Sequence, residues 1–397
     1  MTIQQHPRVD RFPAVDGLRA IGAIAVLFTH VAFQTGMYPR GTLGSLLSRM
    51  DVGVAIFFVV SGFLLTLGFV RPLAEGGRPQ RVRDYAVKRV LRIWPVLVVT
   101  VAVVYVVFDH ELDRPKITRL LTMSTLYGDT YFANGVSQMW SLETEVAFYV
   151  ALPLVMALVA RLGRRSVLRT TAILAVAMVA LNVVWILVGA DLVLDTFPFA
   201  HQWFLAYLAW FGAGVGLAAA WVARSRGARG QWLDVLETAG SLPGVCWTVA
   251  AATLLVASTP LAGPLDLSPG ATPATALVKC LAYLVVGCCL VIPAVFGPRT
   301  TYRAVLEHPV ARYLGQISYA LFCIHLAVLQ LVMEWTSTEF FTGRFWLVLP
   351  LTLLISVAAA AALHHVVERP AVRLAGRLTR RGQPASAAKA TTPSASS

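Results

Sequence analysis

The sequence predicts an all-α protein that crosses a membrane about ten times, and three observations support this fold class. Hydrophobic residues make up 57% of the chain and charged residues only 13%, with a mean hydropathy of +0.69, whereas a soluble domain carries about a quarter charged residues. Apolar runs of about 20 residues, the length of a membrane-spanning helix, recur along the chain. Lys and Arg are concentrated in alternate connecting segments, which is typical of multi-pass membrane proteins.

Ten apolar segments have the length and composition expected of spanning helices. The seventh is the weakest, because prolines and a glycine crowd its ends. The first carries Asp16, Arg19 and His30, which the shorter apolar region of a cleaved signal peptide would lack, so we expect a retained helix. The approximate limits of the ten segments are 14–35, 52–70, 90–108, 139–160, 170–189, 203–223, 244–260, 273–295, 314–334 and 345–367.

The distribution of basic residues predicts the orientation of these helices. With the N-terminus in the cytoplasm, 25 of the 33 Lys and Arg residues fall in cytoplasmic segments and six on the opposite side. We therefore expect both termini in the cytoplasm. Residues 1–381 would form one membrane domain, and residues 382–397, rich in Ala, Ser, Thr and Pro, a disordered tail. The net charge of +13 does not indicate nucleic-acid binding, because the basic residues alternate with apolar runs.

The cysteines give no sign of a disulfide framework or a metal site. All lie inside apolar segments, none forms a Cys-x-x-Cys pair, and no His or Cys stands at metal-ligand spacing beside them. We expect small buried thiols, no structural disulfide and no bound metal. The five residues are Cys246, Cys280, Cys288, Cys289 and Cys323.

Ionisable residues inside the predicted spans are the main functional candidates, since each costs several kcal/mol unless it faces protein or water. They are Arg19, His30, Glu145, Lys279 and His325. Arg19 and His30 are eleven residues apart on one helix, which puts them on the same face about 16 Å apart along its axis. The alternative is that Arg19 extends to the headgroups and that His30 is an ordinary core histidine.

The helix positions of Glu145 and His30 predict similar depths. Glu145 lies about 8 Å below the outer edge of the membrane and His30 about 24 Å above the inner edge, so both fall in the outer half of a core about 30 Å thick. Such a pair would make a general base and its orienting partner. The alternatives are a purely structural contact, or a Glu145 that faces a water-filled vestibule. Glu143 is nearer the edge and is expected to be solvated.

A basic cluster leads into the third predicted span, and it allows two interpretations. It can set the membrane topology and contact lipid headgroups, or it can bind a phosphate-bearing ligand, since arginine pairs with phosphate oxygens bidentately. Charge alone does not separate them. The cluster contains Arg81, Arg83, Lys88, Arg89 and Arg92.

Six short motifs occur in order along the predicted spans. Together they resemble acyltransferase family 3, membrane enzymes that move acyl groups from a coenzyme A thioester to hydroxyls. The resemblance covers nearly the whole chain. The motifs are Val15-Asp16-Gly17-Leu18-Arg19-Ala20 with His30, Phe57-Phe58-Val59-Val60-Ser61-Gly62-Phe63-Leu64-Leu65, Lys88-Arg89-Val90-Leu91-Arg92-Ile93-Trp94-Pro95, Trp140-Ser141-Leu142 with Glu145 and Phe148-Tyr149, Leu314-Gly315-Gln316-Ile317-Ser318-Tyr319 with His325, and Glu368-Arg369-Pro370.

The resemblance implies an O-acyltransferase of the bacterial cytoplasmic membrane. Its donor would be cytoplasmic acyl-CoA, with acetyl as the default group, and its acceptor a hydroxyl of an envelope glycan or glycolipid. We expect no permanently bound cofactor. In the predicted site, His30 is the general base, Glu145 orients it, and Arg19 is also catalytic. The predicted donor-binding residues are Arg19, Lys88, Arg89 and Arg92. The predicted substrate-binding residues are Trp140, Ser141, Tyr149, Lys279 and His325.

Several points stay open at this stage. The acyl group can pass directly or through a covalent acyl-histidine, and Arg19, Ser141 and Trp140 are all candidate donors to the tetrahedral oxyanion. Ser61 is a possible nucleophile, although a Ser-Gly pair in an apolar helix favours close helix packing. A transporter of a small solute or lipid-linked sugar is the alternative function, since intramembrane charges also serve transport. A non-catalytic scaffold gives no reason for the matched depths of His30 and Glu145.

Overall fold

A computed structural model of the chain describes residues 12–38, 40–108, 112–130, 132–163, 166–265 and 271–380. Within these ranges the protein is helical and contains no strand. The predicted tail, 382–397, lies outside the described residues. The α-helices are α1 (Pro13–Gln34), α2 (Gly41–Ser48), α3 (Val52–Ala74), α4 (Val82–Val107), α5 (Arg114–Thr122), α6 (Met139–Leu162), α7 (Val167–Val184), α8 (Leu208–Ser225), α9 (Gln231–Ser241), α10 (Pro243–Ala257), α11 (Pro273–Phe296), α12 (Thr301–Leu306), α13 (Pro309–Trp335), α14 (Phe345–Leu363) and α15 (Arg369–Arg380).

The predicted fold class is confirmed. Nine helical segments in the described ranges are long and apolar enough to cross a membrane, and a bent pair, α9 with α10, brings the number to ten if it counts as one span. The protein is therefore a multi-pass membrane protein. Each of the other nine predicted segments coincides with a helix to within a few residues at most ends, because a continuous apolar run of this length has no competing structure in lipid.

The seventh predicted span differs from the expectation of one straight helix. The α10 helix has only 15 residues, about 22 Å, which is shorter than the hydrocarbon core of about 30 Å. It meets α9 at a bend of 88°. The bend follows from Pro243 at the first position of α10, because the residue before a proline is disfavoured in the α-helical conformation. Leu242, which precedes it, has φ −115° and ψ 60°.

Two of the spans end in a short π-helical segment, which the apolar pattern did not predict. Trp185–Gly189 follows α7, and His364–Glu368 joins α14 to α15. Such wide turns open the i to i−4 hydrogen-bond ladder and are frequent at functional sites. The short helices α2, α5, α12 and α15 also lie outside the predicted spans, since they are too short or too polar to cross a membrane alone.

The outer helices expose apolar stripes. On α6, side chains spaced four residues apart are 53% to 70% exposed, while Leu152, Met156 and Val159 on the opposite face are buried. Residues four apart lie on one face of a helix, so one apolar face packs on protein and the other faces outward. In a soluble protein this surface would be an aggregation site, whereas in a bilayer it contacts lipid. The exposed stripe is Val150, Leu154, Leu158 and Leu162.

The helices that carry the motifs noted above pack at the centre, and small residues bring their backbones close together. A Cβ atom on Gly62 of α3 would lie 2.3 Å from the Phe211 carbonyl oxygen of α8, and one on Gly315 of α13 would lie 1.9 Å from the Asp16 carbonyl oxygen of α1. Only glycine fits at such contacts, which are typical of helix packing in membranes. The α1–α13 contact determines which side chains of these two helices can meet.

Candidate active site

The first of two adjoining cavities, which we call the arginine cavity, lies between α1, α3, α4, α6 and α13. It measures about 250 Å³ and brings together three predicted donor-binding residues, Arg19, Arg89 and Arg92. Glu145, Ser141 and Tyr149 also line it, together with Ser61 and Ser318. Three guanidinium groups and one carboxylate therefore share one partly enclosed space.

Arg19, which like Arg89 and Arg92 is partly buried, lies among charged side chains of both signs. Carboxylates from three helical segments act on its guanidinium electrostatically, and Arg92 opposes them with a like charge. A buried guanidinium needs such compensation, because an uncompensated charge in a low-dielectric region is costly. The carboxylates are those of Asp16, Glu145 and Glu368.

Arg89 has capacity to bind a further group. Its guanidinium lies over the ring of Tyr149 at 5.7 Å and over that of Tyr85 at 6.0 Å. Its buried Nε has no hydrogen-bond partner within the described residues, and the same is true of the Ser318 hydroxyl in the cavity wall. An unsatisfied buried donor costs about 1–3 kcal/mol, so these two groups favour an acceptor-bearing ligand in the cavity.

Lys88, the fourth predicted donor-binding residue, does not line the arginine cavity. Its side chain is exposed on α4. Successive residues of a helix are rotated by about 100°, so Lys88 points away when its neighbour Arg89 faces the cavity. Of the basic cluster, Arg89 and Arg92 contribute to the cavity lining, whereas Arg81 and Arg83 are also exposed.

The second space, the histidine cavity, measures about 290 Å³ and contains His30. Trp140, Ser141 and Lys279, three of the predicted substrate-binding residues, line it as well. It shares part of its wall with the arginine cavity: Val54, Ser141 and Phe322 line both. The two cavities are therefore neighbours, separated by only these side chains.

His30 is paired with His325 across the α1–α13 contact. Nδ1 of His30 lies 2.9 Å from Nε2 of His325, and Nδ1 of His325 lies 2.8 Å from the Phe322 carbonyl oxygen. Because a carbonyl only accepts, Nδ1 of His325 must carry a proton, and in neutral His325 the Nε2 is then an acceptor. His30 therefore donates from Nδ1 and keeps a lone pair on Nε2, the arrangement of a general base.

Glu145 has a different partner from the predicted one. Its carboxylate accepts a short hydrogen bond from the Ser61 hydroxyl, and it lines the arginine cavity, whereas His30 lines the histidine cavity. The predicted direct contact between His30 and Glu145 is therefore replaced by the contacts His30–His325 and Ser61–Glu145. Depth along a helix axis does not determine in which direction a side chain points, so the matched depths did not identify the partners.

One neighbouring expectation is wrong, and another applies to only one of its two residues. Glu143 is not solvated: it is 3% exposed, and its carboxylate accepts the backbone N–H groups of Thr125 at 3.0 Å and Leu126 at 2.9 Å. The favoured packing role of the Ser61–Gly62 pair applies to the glycine alone, because the serine hydroxyl lies in the arginine cavity. No helical periodicity distinguishes a carboxylate that faces solvent from one that caps a nearby turn.

Lys279 is held at the edge of the histidine cavity by an ion pair. Its Nζ lies 2.7 Å from Oδ2 of Asp51. The Tyr283 hydroxyl donates a short hydrogen bond to the other carboxylate oxygen and also reaches the Arg49 carbonyl oxygen at 3.1 Å. The sequence indicated Lys279 as an intramembrane charge, but its partner Asp51 lies at the end of a span, where an acid carries no such signal.

Gln138 is a site residue that the sequence did not indicate. It is 1% exposed and lines the histidine cavity, and its Nε2 donates to the carbonyl oxygen of Cys323 at 2.8 Å. Its Oε1 has no partner within the described residues. An isolated glutamine beside the Trp140 motif carries no distinctive pattern. The five cysteines are free thiols, and no cluster of three metal-ligating side chains occurs in the described ranges.

The site thus combines an imidazole that keeps a lone pair on Nε2 with an adjoining space lined by three arginines. The sequence profile of the family described as Acyltransferase domain matches residues 12–365. The chain therefore belongs to acyltransferase family 3, and it is an O-acyltransferase by family. The transporter alternative has no support in this assignment.

The relatives agree with the family. The chain is 28% identical to "Acyltransferase MdmB" of Streptomyces mycarofaciens over 94% of each chain. It is 27% identical to "Nodulation protein 10" of Rhizobium leguminosarum over 92% of this chain and 95% of the relative. It is also 27% identical to "Peptidoglycan O-acetyltransferase OatA" of Listeria monocytogenes, over 36% of this chain and 23% of that protein. No solved structure matches the chain.

Proposed function

We propose that the protein transfers an acyl group, acetyl by default, from cytoplasmic acyl-CoA to a hydroxyl of an envelope glycan or glycolipid at the bacterial cytoplasmic membrane. The observation that carries this proposal is the shared wall of the two cavities. A space with three arginines adjoins the space of a paired imidazole, with Val54, Ser141 and Phe322 between them. A long thin donor with an anionic end could occupy both.

The arginine cavity has the chemistry that coenzyme A needs. Coenzyme A carries phosphates, and arginine binds phosphate oxygens through fixed pairs of N–H donors. Arg89 and Arg92 would hold this anionic end, and the unpaired Arg89 Nε would gain an acceptor. The predicted topology places Arg89 and Arg92 on the cytoplasmic side, where Lys and Arg accumulate. This supports an arginine cavity that opens to the cytoplasm.

The histidine pair supplies the base. An alcohol is a weak nucleophile at neutral pH, and a positioned base contributes about 10²–10⁴-fold. The acceptor oxygen attacks the thioester carbonyl carbon while its proton moves to Nε2 of His30. The tetrahedral intermediate then expels the coenzyme A sulfur, which takes that proton. His325 would hold the tautomer and stabilise the imidazolium by accepting from Nδ1 of His30.

Glu145 receives a revised role in this mechanism. Because it shares the arginine cavity with Ser61 and acts on Arg19, we assign it to positioning these groups and not to orienting His30. Its carboxylate also offsets part of the charge of the three arginines while the donor is absent. Arg19 then remains available to the thioester region, where it or Ser141 would stabilise the oxyanion.

The test is donor binding and acyl transfer by the purified full-length protein. With octyl β-D-glucoside supplied as a model acceptor, wild type should bind coenzyme A and release thiol from acetyl-CoA as the acetyl group passes to the acceptor hydroxyl. His30→Ala should bind coenzyme A but lose transfer, and Glu145→Ala should lose transfer as well. If labelled acyl groups accumulate on the protein when no acceptor is present, the reaction passes through an acyl-enzyme and not by direct transfer. Wild-type transfer by His30→Ala would remove His30 from the mechanism, and failure of wild type to bind coenzyme A would remove the proposed donor. Mass spectrometry of envelope glycans and glycolipids from cells with and without the gene identifies the acceptor.

A further inference from the structure

A third space, which we call the aromatic cavity, adjoins the histidine cavity. It measures about 740 Å³, more than the other two together. Its lining residues come from α3, α6, α8 and α11, from the π-helical segment Trp185–Gly189 and from the segments that precede α3, α8 and α11. It shares four lining residues with the histidine cavity: Asp51, Val54, Trp140 and Lys279. The donor path proposed above does not use this space.

Four aromatic side chains of the aromatic cavity lie in a continuous row, in which Trp140 and Tyr207 are partly exposed and Trp210 and Tyr283 are buried. The centroids of Trp140 and Tyr207 are 5.2 Å apart, those of Tyr207 and Trp210 5.0 Å, and those of Trp210 and Tyr283 6.0 Å. The row begins beside the histidine cavity, because Trp140 lines both spaces. Aromatic faces are apolar and carry negative charge density, so they pack well against the C–H face of a saturated, oxygen-rich ring.

Trp185 is also part of the aromatic lining of the cavity. It opens the π-helical segment Trp185–Gly189, a feature frequent at functional sites. Its ring stacks on Trp203 at 5.7 Å with an interplanar angle of 17°, and its Nε1 donates to the Ala200 carbonyl oxygen at 3.3 Å. The indole is thus held in one orientation before any ligand binds, which reduces the entropy that binding would cost.

Two pairs of polar side chains line the aromatic cavity. In one, His201 Nε2 lies 3.7 Å from Asp191 Oδ1, and both side chains are about half exposed. The other is the Asp51–Lys279 ion pair, beside His30. The lining therefore carries two carboxylates and one ammonium group, which is already paired. This charge pattern disfavours a phosphate or carboxylate in the cavity, and a purely hydrocarbon ligand would leave these polar groups unused.

We propose that the aromatic cavity binds the acceptor, and that the acceptor presents an uncharged glycoside ring. Its C–H face would lie on the partly exposed rings of Trp140, Tyr207 and Trp185, and its hydroxyl edge toward Asp51, Lys279 and His30. This inference rests on the proposed acyl transfer and identifies the acceptor class. A volume of about 740 Å³ is in the range for low-molecular-mass ligands. A small glycoside, or the end of a longer glycan, would fit.

The first experiment is photo-crosslinking with an octyl β-D-glucoside that carries a diazirine, applied to the full-length protein in lipid nanodiscs prepared without glycoside detergents. Mass spectrometry should map the cross-links to residues of the aromatic cavity, and excess octyl β-D-glucoside, but not octanol, should displace them. Cross-links confined to the exposed stripe of α6, or displaced equally by octanol, would mean that the probe only partitions into lipid, and would overturn the proposal.

Matched tryptophan variants test the aromatic contact. Trp185→Leu should weaken protection by octyl β-D-glucoside by about three- to tenfold, because a stacking face is lost, and Trp185→Phe should restore most of it. Trp346→Leu is the control, since Trp346 is 70% exposed and does not line the cavity. Asp191→Asn offers a second probe if Trp185→Leu fails to fold. Unchanged protection in folded Trp185→Leu and Asp191→Asn would contradict the proposal.

Coenzyme A binding, measured on the same preparations, separates this inference from the proposed function. Trp185 and Asp191 lie outside the arginine cavity, so these variants should bind coenzyme A as wild type does. If wild type binds coenzyme A while the glucoside probe labels only lipid-facing helices, the acceptor site is wrong and the donor site stands. If the probe labels the aromatic cavity specifically but coenzyme A does not bind, the glycoside site stands and the proposed transfer fails.

Discussion

Substitution of His325 tests whether the histidine pair is a catalytic arrangement or a packing contact. His325 is 1% exposed, and its Nε2 accepts from Nδ1 of His30 at 2.9 Å. In His325→Met the acceptor is lost with little change in volume. When His30 takes a proton in the transition state, the missing hydrogen bond is one to a charged group, worth about 1.5–3 kcal/mol. We therefore expect kcat to fall about 10- to 150-fold.

The assay is release of thiol from acetyl-CoA by purified protein, with and without octyl β-D-glucoside as a model acceptor. The Kd for coenzyme A should stay unchanged, because His325 does not line the arginine cavity. His325→Gln is the matched variant: its amide oxygen can accept from Nδ1 of His30, so it should retain more activity than His325→Met. Equal activity of wild type and a folded His325→Met protein would refute the proposed role of the pair.

Two further predictions concern the arginine cavity and the turn whose backbone N–H groups bind Glu143. Arg89→Ala combined with Arg92→Ala should weaken coenzyme A binding at least about tenfold, since phosphate contacts are lost. Lys88→Ala, on the exposed side of the same helix, is the control and should bind coenzyme A as wild type does. Equal Kd values in wild type and both variants would leave the basic cluster a role in membrane topology only. Glu143→Gln should destabilise the protein by about 1–3 kcal/mol, because one of two backbone N–H groups loses its charged acceptor. Glu75→Gln, in an exposed ion pair, should leave the unfolding temperature nearly unchanged, and a similarly small effect for Glu143→Gln would contradict the capping role.

The helices could be predicted from the sequence, and the reason is physical. In lipid an apolar run of about 20 residues must satisfy its own backbone, so composition largely determines the structure. The departures occur where a local chain effect interrupts the run. Pro243 ends the helix before it and produces the 88° corner between α9 and α10, and Trp185–Gly189 widens into a π-helix that no hydropathy pattern indicates.

The sequence predicted which residues belong to the candidate site, but not which of them contact one another. Intramembrane charge indicated Arg19, His30, Glu145, Lys279 and His325, and each of them lies in or beside a cavity. Their pairing depends on the rotation of one helix against another, which close glycine contacts between α1 and α13 determine. Sequence spacing gives depth and helix face only.

Partners with no unusual sequence signal were missed. Gln138 is a polar residue near the end of a helix, where polar residues are common, yet it is buried against the carbonyl of Cys323. Asp51 precedes a span, where an acid normally reaches water, and its pairing with Lys279 depends on the position of α11. Both require the packed structure, because their partners are more than 180 residues away in the chain.

The most direct test of the mechanism is a cryo-electron microscopy structure of the full-length protein with coenzyme A bound. The proposed function predicts phosphates on Arg89 and Arg92, and the pantetheine arm passing Val54, Ser141 and Phe322. The sulfur should then lie within about 3–4 Å of a hydroxyl position that Nε2 of His30 can deprotonate. Density for the nucleotide outside the arginine cavity, or an arm that ends before it reaches His30, would contradict the central claim.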